Sequence, residues 1–208
     1  SFWFGTGRVF SYDWTQLTDW IYLSHSGQMK GQFGYGITLF AEDEFYKSIL
    51  FEDNYGLEIS FEKSFSKSIS FNIKPKFGTE IIRVDAPYQA RNTGLGLGIE
   101  LKPSDEFKLN FRMDQSKSIR FENDEVVYSD MIARARFEYQ ATTFLNFRLV
   151  AQYHRYYDTF DIQPLISYQP GPFSIFYFGT SRTYDTSFPG WKESYGQIYL
   201  KVQKLFSF

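Results

Sequence analysis

The chain has 208 residues, a formal net charge of −2 and no cysteine. Its length predicts one domain covering residues 1–208. The lack of cysteine excludes disulfides and thiolate metal sites, and the charge gives no reason to expect nucleic-acid binding. Aromatic residues make up 21% of the chain, yet its mean hydropathy is −0.37. Because the apolar run of about 20 residues that a membrane helix needs is missing, the composition favours strands with one apolar and one polar face.

Apolar and polar residues alternate with a period of two along most of the chain. Phe107, Leu109 and Phe111, for example, are separated by Lys108 and Asn110. This pattern sends the two sets to opposite faces of a strand. The first 50 residues give the weakest pattern. In chain order, the clear alternating segments are 69–77, 95–101, 107–114, 131–139, 145–154 and 196–208.

Two kinds of connection join the alternating segments. The tight ones fall at 62–67, 102–106, 140–143 and 169–172. The longer, polar ones fall at 85–89, 115–125 and 181–193. Short turns at one end of a sheet and longer loops at the other are typical of membrane barrels. We therefore predict an all-β fold, a transmembrane antiparallel up-and-down β-barrel of about 12 strands.

A soluble β-sandwich can show the same alternation, so further features must separate the two folds. The predicted strands reach about 10 residues, the length that a tilted strand needs to cross a bilayer. Aromatic residues also gather near strand ends, where the interfacial girdles of membrane barrels lie. We predict that six aromatic residues anchor the chain in the membrane: Trp20, Tyr22, Tyr153, Tyr168, Phe206 and Phe208.

The last alternating segment ends on an aromatic residue. Ile198 and Leu200 share a face with Phe206 and Phe208. A final strand of this kind resembles the sorting signal that the barrel-assembly machinery recognises in outer-membrane proteins. It predicts a location in the outer membrane of a Gram-negative-type envelope. The expected partners are outer-membrane lipid, the assembly machinery during biogenesis and other envelope proteins, with no nucleic acid among them.

Residues 134–208 resemble the C-terminal β-barrel of an outer-membrane protein family of unknown function. The resemblance rests on Phe-Arg-Leu-Val-Ala-Gln-Tyr at 147–153, on Pro-Leu-Ile-Ser-Tyr-Gln-Pro-Gly-Pro at 164–172 and on Phe-Tyr-Phe-Gly at 176–179. Longer members of that family carry a family-nine carbohydrate-binding module ahead of the barrel. The resemblance implies an outer-membrane barrel but no activity. It also implies that this chain is either the C-terminal part of a longer protein or a short relative in which the barrel stands alone.

Several motifs that carry chemistry in other proteins lack their usual setting here. The glycines of 94–98 are not followed by the helix that phosphate binding requires, and they fall on a polar face where they leave room for large neighbours. The Ser-x-x-Lys spacing at 64–67 lies in a tight turn. The acidic segment 42–44, with Glu52 and Asp53, matches no cation-binding loop. We predict no cofactor and no metal site.

The two histidines are the remaining candidates for catalysis. His25 is flanked by Ser24 and Ser26, and His154 lies near a strand end. A hydrolase needs the base within hydrogen-bond reach of its nucleophile, which sequence does not show. We keep an outer-membrane hydrolase as a second alternative and predict no catalytic residue.

The polar faces of the predicted strands carry many charged residues. In a narrow barrel these charges pair across strands and fill the interior, and in a wider one they line a path that favours anions. Our first hypothesis is a non-enzymatic barrel that acts as an anchor or as a subunit of an envelope complex. The alternative is a porin-like channel for small anionic solutes. The residues predicted to line the lumen are Lys74, Lys76, Glu100, Arg112, Arg134, Arg136, Glu138 and Arg148.

Overall fold

The computed structural model describes residues 1–204, which form one antiparallel sheet of 12 strands. Each strand neighbours the strands that precede and follow it in the chain, so the order is up-and-down from β1 to β12. Within these residues there is no helix long and apolar enough to cross a membrane. The predicted all-β fold is confirmed, and so are the predicted strand number, the antiparallel direction and the up-and-down order. Phe206 and Phe208 lie outside the described residues.

The strands are 9 to 18 residues long. Their bounds are β1 Phe2–Phe10, β2 Gln16–Met29, β3 Phe33–Tyr46, β4 Ile49–Ser66, β5 Ile69–Ile82, β6 Tyr88–Leu101, β7 Phe107–Arg120, β8 Val126–Gln140, β9 Leu145–His154, β10 Thr159–Gly171, β11 Ser174–Asp185 and β12 Lys192–Lys204. The first 50 residues, where the pattern is weakest, form three of these strands and the start of a fourth.

Two of the three longer connections are shorter than their sequence indicates. The predicted loop at 115–125 shrinks to 121–125, and the one at 181–193 shrinks to 186–191. The prediction was wrong at these strand ends because polar side chains do not prevent the backbone from pairing. Asn92, for instance, donates to Ser116 at 3.3 Å and to Ser118 at 3.2 Å, which ties β7 to β6 through polar groups.

Contacts group the described residues into two compact units. Unit 1 comprises Ser1–Ser64, Phe71–Leu97 and Asp114–Ser129. Unit 2 comprises Phe65–Ser70, Gly98–Met113 and the residues from Asp130 onward. The description of residues 1–208 as a single domain stays a prediction.

In unit 2, the apolar face of β8 to β12 is the exposed one. Phe178 of β11 lies opposite Ile166 of β10 and Leu200 of β12. The exposed fraction is 54% for Phe178 and 71% for Leu200. On the other face, which carries the charged residues of β8, Val150 is 6% exposed and Leu165 is 9% exposed. The large apolar side chains therefore point away from the crowded side of the sheet. In a soluble protein, such side chains point towards the crowded side.

Unit 1 repeats this arrangement in β1 to β4. Leu23 lies opposite Phe4 and Leu39, and both of these side chains are exposed. The opposite face carries Ser24, whose hydroxyl lies 3.2 Å from that of Thr38. Polar and apolar residues are thus sorted between the two faces of these strands by the same two-residue alternation.

Connections between strands are short throughout. The longest, 186–191, has six residues, and the shortest have two. The β1–β2 turn is held by Asp13, whose carboxylate accepts from the Ser11 hydroxyl and from the backbone N–H of Thr15 at 3.4 Å. These hydrogen bonds, that of Ser11 first, lower the pKa of Asp13 because they favour its charged form.

The two-residue turn between β3 and β4 has an unusual backbone for its sequence. Lys47 and Ser48 both have positive φ, at 49° and 65°. This is the geometry of a type I′ turn, which normally uses Asn-Gly because other residues are strained there. The same dipeptide forms the turn between β4 and β5 at Lys67 and Ser68, where neither residue is among those with positive φ in the described chain.

We expect Lys47→Asn with Ser48→Gly to raise the free energy of unfolding by about 1 kcal/mol, because the strain at two left-handed residues is relieved. Urea unfolding of the refolded protein, followed by tryptophan fluorescence, measures this change. The matched control is Lys67→Asn with Ser68→Gly, which relieves no such strain and should leave the stability unchanged. An equal gain at both turns would contradict the strain argument.

Candidate functional site

A basic cleft lies on the polar face of unit 2, between strands β7 and β8. Its volume is 360 Å³. It contains four cationic side chains and one carboxylate, and its lining residues are Lys108, Asn110, Arg112, Arg134, Arg136 and Glu138. Four of these residues were predicted to line a lumen, and the structure brings them together. Lys108 and Asn110 were not predicted, although their place in the alternation of β7 is a signal for the same face.

Ion pairs neutralise part of this charge. Lys108 Nζ lies 2.9 Å from Glu100 Oε2, and Arg136 Nε donates to Glu138 Oε1 at 3.1 Å. The side chain of Arg134 has neither a hydrogen bond nor an ion pair within the part of the chain that the structure describes. An arginine without a partner keeps all five of its N–H donors available in a planar fork that suits a carboxylate or phosphate.

Arg148 of β9 adds a second donor on the same face. It lies directly opposite Glu138 of β8 and Leu165 of β10. Its Nε is buried and has no hydrogen-bond partner among the described residues. A buried donor without a partner costs free energy, which an incoming acceptor would recover. The cleft and Arg148 together favour an anion over a cation or a neutral molecule.

Lys74 and Lys76, also predicted to line a lumen, lie in unit 1. Lys76 Nζ lies 2.8 Å from Glu58 Oε2. A Cβ atom added at Gly94 would lie 3.5 Å from Cβ of Lys76, and one at Gly96 would lie 3.4 Å from Cβ of Lys74. These are ordinary van der Waals distances, so the prediction that the glycines of 94–98 make room for large neighbours stays a prediction.

The predicted membrane-anchoring residues fall on both faces. Tyr153 and Tyr168 lie on the exposed apolar face, with Tyr168 opposite Leu145. Trp20 and Tyr22 lie on the polar face of unit 1, opposite Glu42 and Phe40. An anchoring role for Trp20 and Tyr22 is therefore not favoured by their placement. The sequence did not reveal this because the neighbours Ile21 and Leu23 are apolar too.

Trp20 and Tyr22 instead line an aromatic cleft of 390 Å³, together with Trp3 and Ser24. The rings of Trp3 and Tyr22 meet edge to face, with centroids 4.8 Å apart. A Cβ atom at Gly7 would lie only 2.7 to 2.8 Å from three atoms of the Trp20 indole. The indole therefore lies flat over Gly7, which only glycine permits. Trp3 was missed by sequence reasoning, although the Trp-x-Gly-x-Gly pattern from Trp3 to Gly7 is a usable signal.

His25 and its flanking serines point in opposite directions. His25 lies on the apolar face, where its Nε2 is 3.0 Å from the hydroxyl of Tyr35. Ser24 and Ser26 lie on the other face, and the hydroxyl of Ser26 is bonded to that of Ser1 at 2.7 Å. Successive residues of a strand alternate between faces, so His25 does not reach either serine. This geometry gives no support to a hydrolase built on His25.

His154 pairs with Asp130, a buried residue that sequence reasoning missed. Asp130 Oδ2 lies 2.7 Å from His154 Nε2, while Oδ1 accepts from the backbone N–H groups of Met131 at 2.7 Å and Tyr156 at 3.0 Å. The ring of Tyr157 meets the imidazole edge to face at 4.6 Å. Among the described residues no serine or threonine hydroxyl is bonded to His154. The pair fastens the turn between β9 and β10.

The acidic segment does not assemble a metal site. Within residues 1–204 no group of three or more His, Cys, Asp or Glu side chains is placed to hold a metal ion. Asp43 instead accepts from the backbone N–H of Asp53 at 2.9 Å, and Glu44 binds Arg83 through both carboxylate oxygens at 2.7 and 2.8 Å.

Comparison with known proteins gives no matching family model and no matching curated protein. Among solved structures, the chain is similar to the CymD monoaromatic hydrocarbon channel at 11% sequence identity and a TM-score of 0.42, over 97% of this chain and 77% of that chain. It is similar to the NanC porin at 9% identity and a TM-score of 0.40, over 100% of this chain and 99% of that chain. At these TM-scores neither likeness bears on solute or mechanism. The resemblance of residues 134–208 to a family with a carbohydrate-binding module stays a prediction.

We expect Asp130→Ala to lower the free energy of unfolding by about 2 kcal/mol, because it removes a buried carboxylate that accepts from His154 and from the backbone N–H groups of Met131 and Tyr156. Urea unfolding in detergent measures the change. Glu122→Ala, which removes an exposed carboxylate from the neighbouring loop, is the control and should have no effect. Equal stability of the two variants would show that the buried carboxylate does not fasten the turn.

Proposed function

We propose that this chain is a porin-like outer-membrane β-barrel that admits small anionic solutes through a basic passage on its polar face. The proposal rests on which face of the sheet is exposed, since here the apolar face is exposed and the charged face is crowded. Large apolar side chains such as Phe178 and Leu200 are exposed, while the side of the sheet with the charged residues is crowded. Water penalises exposed apolar area at about 25 cal/mol per Å², whereas lipid does not, so this surface suits a bilayer.

The backbone supports the same proposal. In the hydrocarbon core of a membrane backbone N–H and C=O groups need partners within the protein, and antiparallel pairing between neighbouring strands supplies them. Twelve strands in up-and-down order provide an even strand number, and each strand has at least 9 residues. Tilted strands of about 9 to 11 residues are long enough to span a bilayer.

The anionic preference rests on the basic cleft and on Arg148. The cleft has an excess of positive charge, and both Arg134 and the buried Nε of Arg148 lack a partner within residues 1–204. Charged side chains that line a pore select ions of opposite sign. Arginine also binds carboxylate and phosphate through two parallel hydrogen bonds. The proposed solutes are therefore small carboxylates or phosphates.

An anchoring role in an envelope complex is the second candidate, and a specific observation favours it. Val150, Leu165, Ala90 and Ser118 are all buried on or near the crowded side of the strands. A barrel whose interior is filled in this way would not conduct, and its charges would serve structure alone. Conductance separates the two candidates, because an anchor stays closed in a planar bilayer.

The membrane location is tested by placing a charge on the apolar face. Phe178 and Phe173 have nearly equal exposure, at 54% and 57%, but Phe178 lies within β11 and Phe173 in the turn before it. We expect Phe178→Arg to lower the free energy of unfolding in lipid vesicles by about 2 to 4 kcal/mol, and Phe173→Arg by about 1 kcal/mol or less. Equal, small effects of both variants would indicate a water-exposed surface and contradict the proposal.

The anion passage is tested by neutralising Arg134, Arg136 and Arg148 to glutamine together. We expect the purified wild-type protein to form stable openings in a planar bilayer, and the reversal potential under a salt gradient to report a preference for chloride over potassium. The triple variant should lose that preference because the positive charge of the passage is removed. Arg182→Gln, which removes a charge paired with Glu193 at 3.0 Å near the β11–β12 loop, should retain it. A wild-type protein that never opens would instead favour the anchor.

A further inference from the structure

The aromatic cleft of unit 1 has the size and the surface of a small-molecule site. Its volume of 390 Å³ falls in the range of about 300 to 1,000 Å³ that ligand pockets occupy. The Trp20 indole lies over Gly7 and is one of the residues that line the cleft. Trp3 and Tyr22, at 77° to one another, form a corner beside it. None of these rings is used by the anion passage proposed above.

A carboxylate lies on the strand next to the aromatic cleft, on the same face of the sheet. Glu42 of β3 is the cross-strand partner of Trp20, which brings their side chains to about 5 Å at Cβ. The Glu42 side chain makes neither a hydrogen bond nor an ion pair within residues 1–204, and the charges that act on it are those of Glu44 and Arg83. The neighbouring cation, Arg83, is occupied by both carboxylate oxygens of Glu44.

This combination of groups selects one class of ligand. The faces of indole and phenol rings attract cations, most strongly when these are poorly hydrated alkylammonium groups. A carboxylate on the neighbouring strand that no hydrogen bond or ion pair occupies adds charge attraction and repels anions. An uncharged hydrocarbon would gain from the rings alone and would leave Glu42 without a partner. We propose that Trp3, Trp20, Tyr22 and Glu42 form a binding site for a small organic cation that carries an alkylated ammonium group.

The site is independent of conduction, since it requires only that β1 to β3 keep their register. It places ligand binding in a part of the chain where the sequence pattern is weakest. The ammonium group would lie over Trp20 with Glu42 beside it, and the alkyl substituents would contact Trp3 and Tyr22.

The test is a titration of the full chain, refolded in a polyoxyethylene detergent that carries no ammonium group. Tetramethylammonium chloride is added at constant ionic strength, with sodium chloride as the blank, and tryptophan fluorescence is followed. tert-Butanol, similar in shape but uncharged, is the matched neutral probe. We expect a saturable change with tetramethylammonium and none with tert-butanol.

Variants test whether the fluorescence change arises at the aromatic cleft. Trp20→Leu and Glu42→Gln should each weaken binding about tenfold, while Trp20→Phe should bind more weakly than wild type but measurably, because it keeps a π-face. Trp14→Phe is the control, since Trp14 lies in the β1–β2 turn and is 81% exposed. Circular dichroism confirms that each variant is folded, and Trp20→Phe keeps the test decisive if Trp20→Leu misfolds.

Three outcomes would overturn the proposal. Equal binding of tert-butanol would reduce the site to an apolar cleft. Saturable binding of a neutral methyl glycoside, lost in the same variants while tetramethylammonium has no effect, would make it a sugar site. If tetramethylammonium up to roughly 100 mM gives no saturable change in fluorescence, the affinity is too low for a specific site. That result would show that the aromatic cleft binds no organic cation. None of these results alters the conductance expected of the anion passage.

Discussion

The register between neighbouring strands is the constraint on which the rest of the structure depends. A slip of one residue moves every side chain of a strand to the other face. Here the register places Phe178 between Ile166 and Leu200, and it places Arg148 opposite Glu138. The apolar surface and the basic cleft are therefore two results of one alignment. In β8 the two are tied together, because Arg134, Arg136 and Glu138 alternate with Ala135 and Phe137 of the apolar face.

Glycine on one strand and an aromatic ring on the next form a recurring contact in this sheet. The Trp20 indole lies over Gly7, the phenol of Tyr199 over Gly179, and that of Tyr35 over Gly27. Rings on such neighbours cover backbone that a glycine leaves bare, which stabilises sheets. The contact also sets the height of each ring above the sheet. On the polar face this keeps the rings flat, so that space remains above them for a solute.

The sequence predicts well what depends on alternation and poorly what depends on which strands meet. It gives the strand number and the common face of Arg134, Arg136 and Glu138, because these follow from a period of two. It misses the pair of Asp130 with His154, since 24 residues separate them and only the β8–β9 register joins them. Trp20 was assigned to the membrane because aromatic residues gather near the predicted strand ends. The deciding fact is Glu42 on the neighbouring strand, which local sequence does not contain.

The brevity of the connections has a consequence for how this protein could acquire new specificity. The longest connection has six residues, which extend to at most about 20 Å, and both of its ends are fixed to adjacent strands. Within residues 1–204 no connection is long enough to fold back far along the strands. Under the proposed functions, selectivity would therefore reside in residues that already point from the strands, such as Arg134 and Glu42. A change of solute would then require substitutions at a few alternating positions, without insertion of a loop and without disturbance of the fold.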